Sequence, residues 1–337
     1  MLTDTPGIHH VTAVVGDAQR NVDFYAGTLG LRFLLRTVNQ EDKFAYHLYY
    51  GDETGTPGTI LTCFPYPHED DGRIGVPQIQ TVAFVVPETA IDDWLERLAG
   101  DDSVRDVTGP LERFDERVIR FRDPDGTRLE LVTGDSPVEP WADGPVPEDV
   151  AIRGLHGVTL CSANSYATAS VLETLGFELV DQEGDRVRYR APGDRATVVD
   201  LLDRDGSYGR GGPGTIHHVA VRVGGVDQLY EWHELFRERE YDVSRVKDRH
   251  YFHSLYVREP GGILFELATD PRPRLQNESG SDTESDDTAD EGRSGLVDNS
   301  DAISSETLEL PPWFEEDREM IESQLPPVFV PESTVDS

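Results

Sequence analysis

The chain has 337 residues, of which 37% are hydrophobic and 9% aromatic, enough to form one large core or two ordinary ones. Its 65 acidic residues exceed its 30 basic ones and give a formal net charge of −35, which repels nucleic acid and anionic membranes. Because carboxylates are spread along the whole length and lysine occurs only at Lys43 and Lys247, the composition favours a halophilic protein whose self-repulsion is screened by salt.

The cysteines and the N-terminus indicate an intracellular protein. Cys63 and Cys161 lie in apolar, strand-like segments and are predicted to be reduced core residues, since two cysteines do not make a disulfide scaffold. No apolar segment reaches membrane-spanning length, and MLTDTPGIHH has no signal-peptide core. We therefore expect a soluble, cytoplasmic protein with no nucleic-acid or membrane partner, and the sequence leaves a homo-oligomer open.

The same order of elements, one strand, one helix and three strands, occurs four times along the chain. The first unit begins with IHHVTAVV and continues with a helix that Asp17 caps and Gly30 ends. The second begins with IQTVAFVV (79–86), the third with IRGLHGVTLC (152–161) and the fourth with IHHVAVRV (216–223). This repeat predicts an α+β fold of four tandem βαβββ modules.

Changes in composition divide the chain further. Two modules fill 6–135 and two fill 152–275, and each pair is expected to form one domain, with a Pro-rich linker at 136–151. The segment 277–305 contains no aromatic residue and is mostly Asp, Glu, Ser, Gly and Thr, so we expect a disordered acidic insertion in which nothing packs. Apolar residues return in 306–330, which predicts a C-terminal tail helix that docks on the body.

Two positions distinguish the four modules chemically. Histidine occupies the inward position of the first strand only in modules one and four, and only those two modules repeat the His-His phrase. If these two strands face each other, His10, His218 and Glu266 converge, and Thr62 takes the fourth corner. In module order, the first-strand residues are His10, Thr81, Gly157 and His218, and the last-strand residues are Thr62, Glu130, Asp200 and Glu266.

Two imidazoles and one carboxylate leave open positions on an octahedral metal, an arrangement that favours Fe(II) or Mn(II) binding O2 and a bidentate substrate together. A lone strand histidine is more often a packing residue, and Glu266 could instead pair with an arginine. Two identical phrases at repeat-equivalent positions outweigh that alternative. Glu130 and Asp200 have no histidine partner, so we expect them to be solvated or paired with arginine.

The remaining histidines divide into two groups. Strand alternation turns His9 and His217 away from the ligand face, unless the strands twist enough to bring them to its rim. There they could donate hydrogen bonds to the ligands or simply pack. The others lack a repeat-equivalent partner and are predicted to be surface or packing residues; they include His47, His233, His250 and His253.

The tandem units resemble the vicinal oxygen chelate superfamily, which includes glyoxalase I, bleomycin-resistance proteins and extradiol dioxygenases. Three segments are more closely similar to ring-cleaving dioxygenases of the hydroquinone 1,2-dioxygenase type. The resemblance covers 6–275 and 308–328, and the acidic insertion between these ranges departs from the family pattern. In modules two and three the resemblance is only at the level of the superfamily. It implies that each pair of modules is a glyoxalase-like domain. The segments are GIHHVTAVVGDAQRNVDFYAGTLGLRFLLRTVNQEDKFAYHLYYGDETGTPGT, DRHYFHSLYVREPGGILFELATD and LPPWFEEDREMIESQLPP.

The resemblance also implies roles for individual residues. His10, His218 and Glu266 would hold the iron. A nearby His or Tyr could move a proton of a diol, and an arginine could stabilise an anionic oxygen species. The alternatives are that Tyr256 is a sheet aromatic and Arg249 a surface partner of its neighbour. The residues implied to act in catalysis are His9, Thr12, His217, Arg249 and Tyr256.

Together these features predict a non-haem Fe(II) ring-cleaving dioxygenase of the extradiol type, with Mn(II) as the alternative metal. Its substrates would be O2 and a small hydroquinone- or catechol-type diol, in the degradation of aromatic compounds. A glyoxalase-type metal-dependent lyase or isomerase is the second hypothesis, but it needs a fourth ligand that doubles as base, and Thr62 is poorly suited. A metal-free binding or resistance protein of the same fold is the third, which two intact His-His strands disfavour.

Overall fold

A computed structural model describes residues 2–271, residue 296 and residues 307–330. Within these ranges the four predicted βαβββ modules follow one another, and the predicted tail helix is present. Module one contains β1 (Ile8–Val15), α1 (Ala18–Val22) continued by a π-helical segment (Asp23–Thr28), β2 (Arg32–Asn39), β3 (Asp42–Gly51) and β4 (Ile60–Pro65). Module two contains β5 (Gln78–Val86), a 3₁₀ turn (Glu88–Ala90), α2 (Ile91–Ala99), β6 (Arg105–Arg113), β7 (Glu116–Arg122) and β8 (Arg128–Thr133).

The second half repeats this order, except that two short strands stand where the other modules have one. Module three contains β9 (Leu155–Cys161), α3 (Ser165–Thr174), β10 (Glu178–Glu183), β11 (Arg186–Arg190) and β12 (Val198–Leu202). Module four contains β13 (Thr215–Val223), α4 (Val226–Glu238), β14 (Asp242–Val243), β15 (Lys247–Asp248), β16 (His253–Arg258) and β17 (Leu264–Thr269). The tail contains a 3₁₀ segment (Pro312–Asp317) and α5 (Arg318–Gln324).

The first helix begins and ends where the sequence predicts. The side chain of Asp17 accepts a hydrogen bond from the backbone N–H of Arg20 (2.8 Å), which satisfies a donor that the first helical turn leaves free. Gly30 follows the helical segment with φ of +71°, in the left-handed region where glycine has no steric penalty.

Each sheet combines modules from opposite ends of the chain. Modules one and four form a nine-stranded sheet in the order β14-β16-β17-β13-β1-β4-β3-β2, with β15 also paired to β16. Modules two and three form an eight-stranded sheet in the order β10-β11-β12-β9-β5-β8-β7-β6. At the centre of the first sheet β1 runs antiparallel to β13, so the two His-His phrases lie side by side. The division into two domains at 136–151 stays a prediction. Each of the two sheets contains strands from both sides of this linker.

Strand alternation separates the apolar core from the chemistry. Val11 and Ala13 of β1 belong to the large apolar core that also contains Trp94 and Trp232 of the helices. The alternate side chains of the same strand point to the other face of the sheet, where the candidate site lies. Both cysteines are free and buried, as predicted. Among the described residues, no helix is long and apolar enough to cross a membrane.

A buried carboxylate closes the hairpin between the last two strands of module two. Asp123 accepts hydrogen bonds from the backbone N–H groups of Asp125 (3.0 Å) and Thr127 (2.7 Å), and from the hydroxyl of Tyr25 in module one (3.0 Å). Burial, followed by the charge of Asp125, raises the pKa of Asp123 to about 6. This carboxylate therefore ties module two to module one.

The tail docks on β2 and β3 of module one. Ile321 of α5 is fully buried against Val38, and the hydroxyl of Tyr46 donates to the carbonyl oxygen of Pro326 (2.8 Å). Most of the acidic segment 277–305 lies outside the described residues, so its predicted disorder stays a prediction.

One residue of the acidic segment does pack. Leu296 is buried beside Leu34, and its backbone N–H donates to the carbonyl oxygen of Gly55 (3.2 Å). The expectation that nothing in this segment packs is wrong at Leu296, because one leucine among acidic and small residues can still fill an apolar hollow.

Candidate metal centre

Three donor atoms meet on the central strands of the nine-stranded sheet. Nε2 of His10 (β1) lies 3.3 Å from Nε2 of His218 (β13), and Oε2 of Glu266 (β17) lies 3.1 Å and 2.9 Å from these nitrogens. The three side chains are at most 4% exposed. The convergence follows from the sheet order, since β13 pairs with β1 on one side and with β17 on the other.

The donor set fits a divalent cation. Within the described part of the chain, neither carboxylate oxygen of Glu266 has a hydrogen-bond donor, although two ring nitrogens lie close to it, so lone pairs face one another around a common point. Two ligands about 2.1 Å from one ion and at right angles are about 3.0 Å apart, close to the distances between these atoms. Among the described residues, no other group of His, Cys, Asp and Glu side chains converges in this way.

The second histidine of each phrase contacts the first. Nδ1 of His9 lies 2.9 Å from Nδ1 of His10, and Nδ1 of His217 lies 2.7 Å from Nδ1 of His218. In the tautomer that leaves Nε2 of His10 and His218 as lone pairs, Nδ1–H of each donates to its neighbour, which fixes the ring orientation. His9 and His217 therefore lie beside the candidate ligands, as we allowed for strands that twist. The register between β1 and β13 is irregular beside His10.

Both neighbouring rings are neutral at pH 7. Burial, followed by the adjacent His10, lowers the pKa of His9 to about 3. The His217 side chain is exposed toward the cavity, where desolvation by the surrounding protein, followed by His218, lowers its pKa to about 3. His9 packs against the Phe252 ring, whereas His217 lines the cavity in front of the candidate ligands.

Hydroxyl groups link the site to a histidine that we predicted to be a surface or packing residue. Oγ1 of Thr12 lies 3.0 Å from Nε2 of His218 and 2.8 Å from Oγ1 of Thr62. Oγ1 of Thr62 lies 2.9 Å from Nε2 of His47, whose Nδ1 is 3.1 Å from the Tyr49 hydroxyl. Thr62 therefore takes the predicted fourth corner, but as a hydrogen-bonding group.

The prediction for His47 covers only part of its role: the ring packs against Tyr49 and Phe64, as a packing residue does, but it also faces the cavity. Burial, followed by the nearby His10 and His218, lowers the pKa of His47 well below its ordinary value. The sequence places His47 and Tyr49 on the same face of β3 by alternation, but only the pairing of Tyr49 with Thr62 on the adjacent strand shows that this face lines the cavity.

A cavity of about 350 Å³ opens in front of the three donor atoms. The Tyr256 ring packs edge-on against the His218 ring with centroids 5.2 Å apart, and the Arg249 guanidinium lies 5.2 Å from the Tyr256 centroid. Arg249 also pairs with Glu41 (3.3 Å). Further lining residues, which sequence reasoning missed, are Asn39, Gln40, Glu41, Tyr66, Ser244 and Lys247.

The two carboxylates without histidine partners are paired with arginine, as predicted. Glu130 accepts from Arg113 (2.7 Å), and Asp200 accepts from Arg188 (2.8 Å) and Arg186 (2.9 Å). Desolvation by burial alone would raise the pKa of Glu130, but the Arg113 guanidinium holds it below its usual value. The face of the second sheet is thus not a second metal site of the same kind.

Comparison with known proteins agrees with this fold. Residues 7–131 and 171–267 match the family model of the Glyoxalase/Bleomycin resistance protein/Dioxygenase superfamily. The chain belongs to this superfamily, which confirms the resemblance noted from the sequence.

Among its relatives, the Bacillus subtilis protein named "Putative ring-cleaving dioxygenase MhqO" is 44% identical over 273 residues, 80% of this chain and 86% of that protein. The chlorohydroquinone/hydroquinone 1,2-dioxygenase of Sphingobium indicum is 34% identical over 274 residues, 78% of this chain and 84% of that enzyme. A crystal structure from Bacillus subtilis, titled "putative dioxygenase", superposes with a TM-score of 0.86 at 40% identity and covers 97% of this chain and 99% of that one.

Proposed function

We propose that the chain is a non-haem Fe(II)-dependent ring-cleaving dioxygenase of the extradiol type, acting on hydroquinone- or catechol-type diols in aromatic-compound degradation. Mn(II) is the alternative metal. The observation that carries the proposal is the buried carboxylate of Glu266, which accepts no hydrogen bond from any described residue and faces two imidazole nitrogens at the base of a cavity of about 350 Å³. The dioxygenase names of relatives at 44% and 34% identity support it.

His10, His218 and Glu266 would hold the metal, whose open positions would bring O2 and a substrate oxygen together. The other residues act on those ligands and on the substrate. In the tautomer that leaves Nε2 of both ligand rings free, His9 and His217 accept their Nδ1–H bonds and so hold their orientation.

The cavity walls supply groups for proton movement at the substrate hydroxyl. A diol has to lose a proton to bind as an anion, and the neutral rings of His47 and His217 can accept hydrogen bonds from its hydroxyl groups. Burial, followed by the charge of Glu266, raises the pKa of Tyr256 well above its ordinary value, so its phenol stays a donor. Arg249 places a permanent positive charge beside it, which stabilises an anionic substrate oxygen.

Ring cleavage needs no external reductant, because both atoms of O2 enter the product as one carbon–carbon bond breaks. We therefore expect one O2 to be consumed for each molecule of diol. The test is oxygen uptake by the anaerobically purified protein, reloaded with Fe(II), on hydroquinone, methylhydroquinone and catechol. Turnover of a methylglyoxal–thiol adduct under argon, with no oxygen uptake on any diol, would assign a lyase instead.

A further inference from the structure

The eight-stranded sheet has its own cavity, of about 340 Å³, beside the arginine-paired carboxylate Glu130. It is about as large as the cavity of the candidate metal centre, but its walls are rich in guanidinium groups. This is unusual in a chain that carries a formal net charge of −35. The arginines that line it are Arg120, Arg122, Arg128, Arg186 and Arg204.

Arginine stands where the candidate metal centre has aromatic residues. Glu130 of β8 pairs across the hairpin with Arg120, at the place where Glu266 of β17 pairs with Tyr256. In module three, two arginines contact Asp200, namely Arg186 and Arg188. They occupy the strand positions that His47 and Tyr49 occupy in module one.

One pair at the end of the β7–β8 hairpin is unfavourable by itself. Arg122 and Arg128 lie directly opposite each other, and like charges in that position destabilise a sheet. In the equivalent hairpin of module four Arg258 lies opposite Leu264, so the fold does not require a second arginine there. Leu264 lines the metal cavity as Arg128 lines this one.

Arg128 differs from the other arginines of this cavity in its partners. Among the described residues no carboxylate lies within ion-pair distance of it, and its guanidinium donates to the amide oxygen of Gln80 (3.1 Å). Burial, followed by the positive charges of Arg122 and Arg204, lowers the pKa of Arg128. Arg122 and Arg204, by contrast, have exposed carboxylate partners at the rim of the cavity. The pairs are Arg122–Asp106 (2.7 Å) and Arg204–Asp185 (3.4 Å).

We propose that this arginine cavity binds the oxyanion group, carboxylate or phosphate, of a small molecule through Arg122, Arg128 and Arg204. Guanidinium groups donate paired hydrogen bonds that match both oxyanions, and an anion among them removes the repulsion between like charges. A purely structural ion-pair network would not need Arg128, which pairs with no acid in the described ranges. One face of the fold is thus suited to a cation and the equivalent face to an anion.

Calorimetric titration of the full chain at constant ionic strength, set with KCl, tests this. The probes are inorganic phosphate and succinate, with KCl as the blank. We expect at least one of these anions to bind to wild type. Its affinity for Arg128→Gln should be lower by a factor of about ten or more. The matched control Arg237→Gln, which removes an exposed arginine paired with Glu234 on α4, should bind like wild type. Binding of phosphate alone assigns a phosphate ester, and binding of succinate alone assigns a carboxylate.

A second variant covers a failure of Arg128→Gln to fold, which circular dichroism would reveal. Arg204 is half exposed at the rim, so Arg204→Gln should keep the fold and also weaken binding. Heat no greater than the KCl blank for both anions, or binding by both variants at wild-type affinity, would overturn the proposal.

Discussion

Nδ1 of His217 lies 2.7 Å from Nδ1 of His218, and the same contact recurs at 2.9 Å between His9 and His10. The repeated phrase therefore supplies a candidate ligand together with the group that orients it. Because the two strands are adjacent and antiparallel, one short motif used twice builds most of the candidate centre.

Removing an orienting ring should weaken metal binding without abolishing it. We expect His9→Ala to lower Fe(II) affinity about 10- to 100-fold, since a ligand whose ring is no longer fixed binds less well. Competition with a chromophoric chelator measures this. His233→Ala, on α4, is the control and should match wild type. An unchanged affinity in His9→Ala would mean that the Nδ1 contact has no role in holding the ligand.

Proton movement should be separable from metal binding. Tyr256→Phe is expected to retain iron and to lose about 100-fold or more in kcat on a diol, the usual contribution of a positioned acid or base. His217→Ala should lose activity together with part of its Fe(II) affinity, because it also removes the ring that orients His218. Iron analysis and oxygen uptake on the same samples test this. Tyr230→Phe, an exposed tyrosine on α4, should keep full activity. Loss of iron in Tyr256→Phe would place that residue among the groups that hold the metal.

The acidic surface should make stability depend on salt. With a formal net charge of −35, self-repulsion destabilises the compact state until counter-ions screen it. We expect Tm to rise markedly from millimolar to molar KCl, as the predicted halophilic character requires. A Tm that is constant or falls over this range would contradict the prediction.

Asp123 should make stability depend on pH. Its pKa is about 6 in the folded chain against an ordinary 3.8, so the folded state holds the proton more tightly than the unfolded state. The contribution of Asp123 to the free energy of unfolding should therefore be largest below pH 4. It should fall by about 3 kcal/mol as the pH rises from 4 to 6, and stay level above.

Asp123→Asn is the matched variant, because the amide oxygen can still accept the two backbone hydrogen bonds. The difference in free energy of unfolding between wild type and variant, from denaturant titrations at pH 4.5 and pH 7 in molar KCl, isolates the carboxylate. An equal difference at the two pH values would show that this carboxylate does not titrate as described.

Repetition explains what could be predicted from sequence. His10, His218 and Glu266 were found because two modules repeat a phrase at equivalent positions. His47 occurs in one module only, so no comparison within the chain marked it, and only the β3–β4 pairing brings it to the cavity. The pairing of module one with module four could not be deduced, because strand patterns fix the order of elements within a module but not which modules share a sheet.

The metal content of two matched variants tests the central claim most directly. Glu266 and Glu130 occupy equivalent positions on the last strands of modules four and two, but only Glu266 faces histidines. After anaerobic purification and reloading with Fe(II), elemental analysis should find about one iron per chain in wild type and in Glu130→Gln, and almost none in Glu266→Gln. Full iron occupancy in folded Glu266→Gln would contradict the assignment of His10, His218 and Glu266 as the metal ligands.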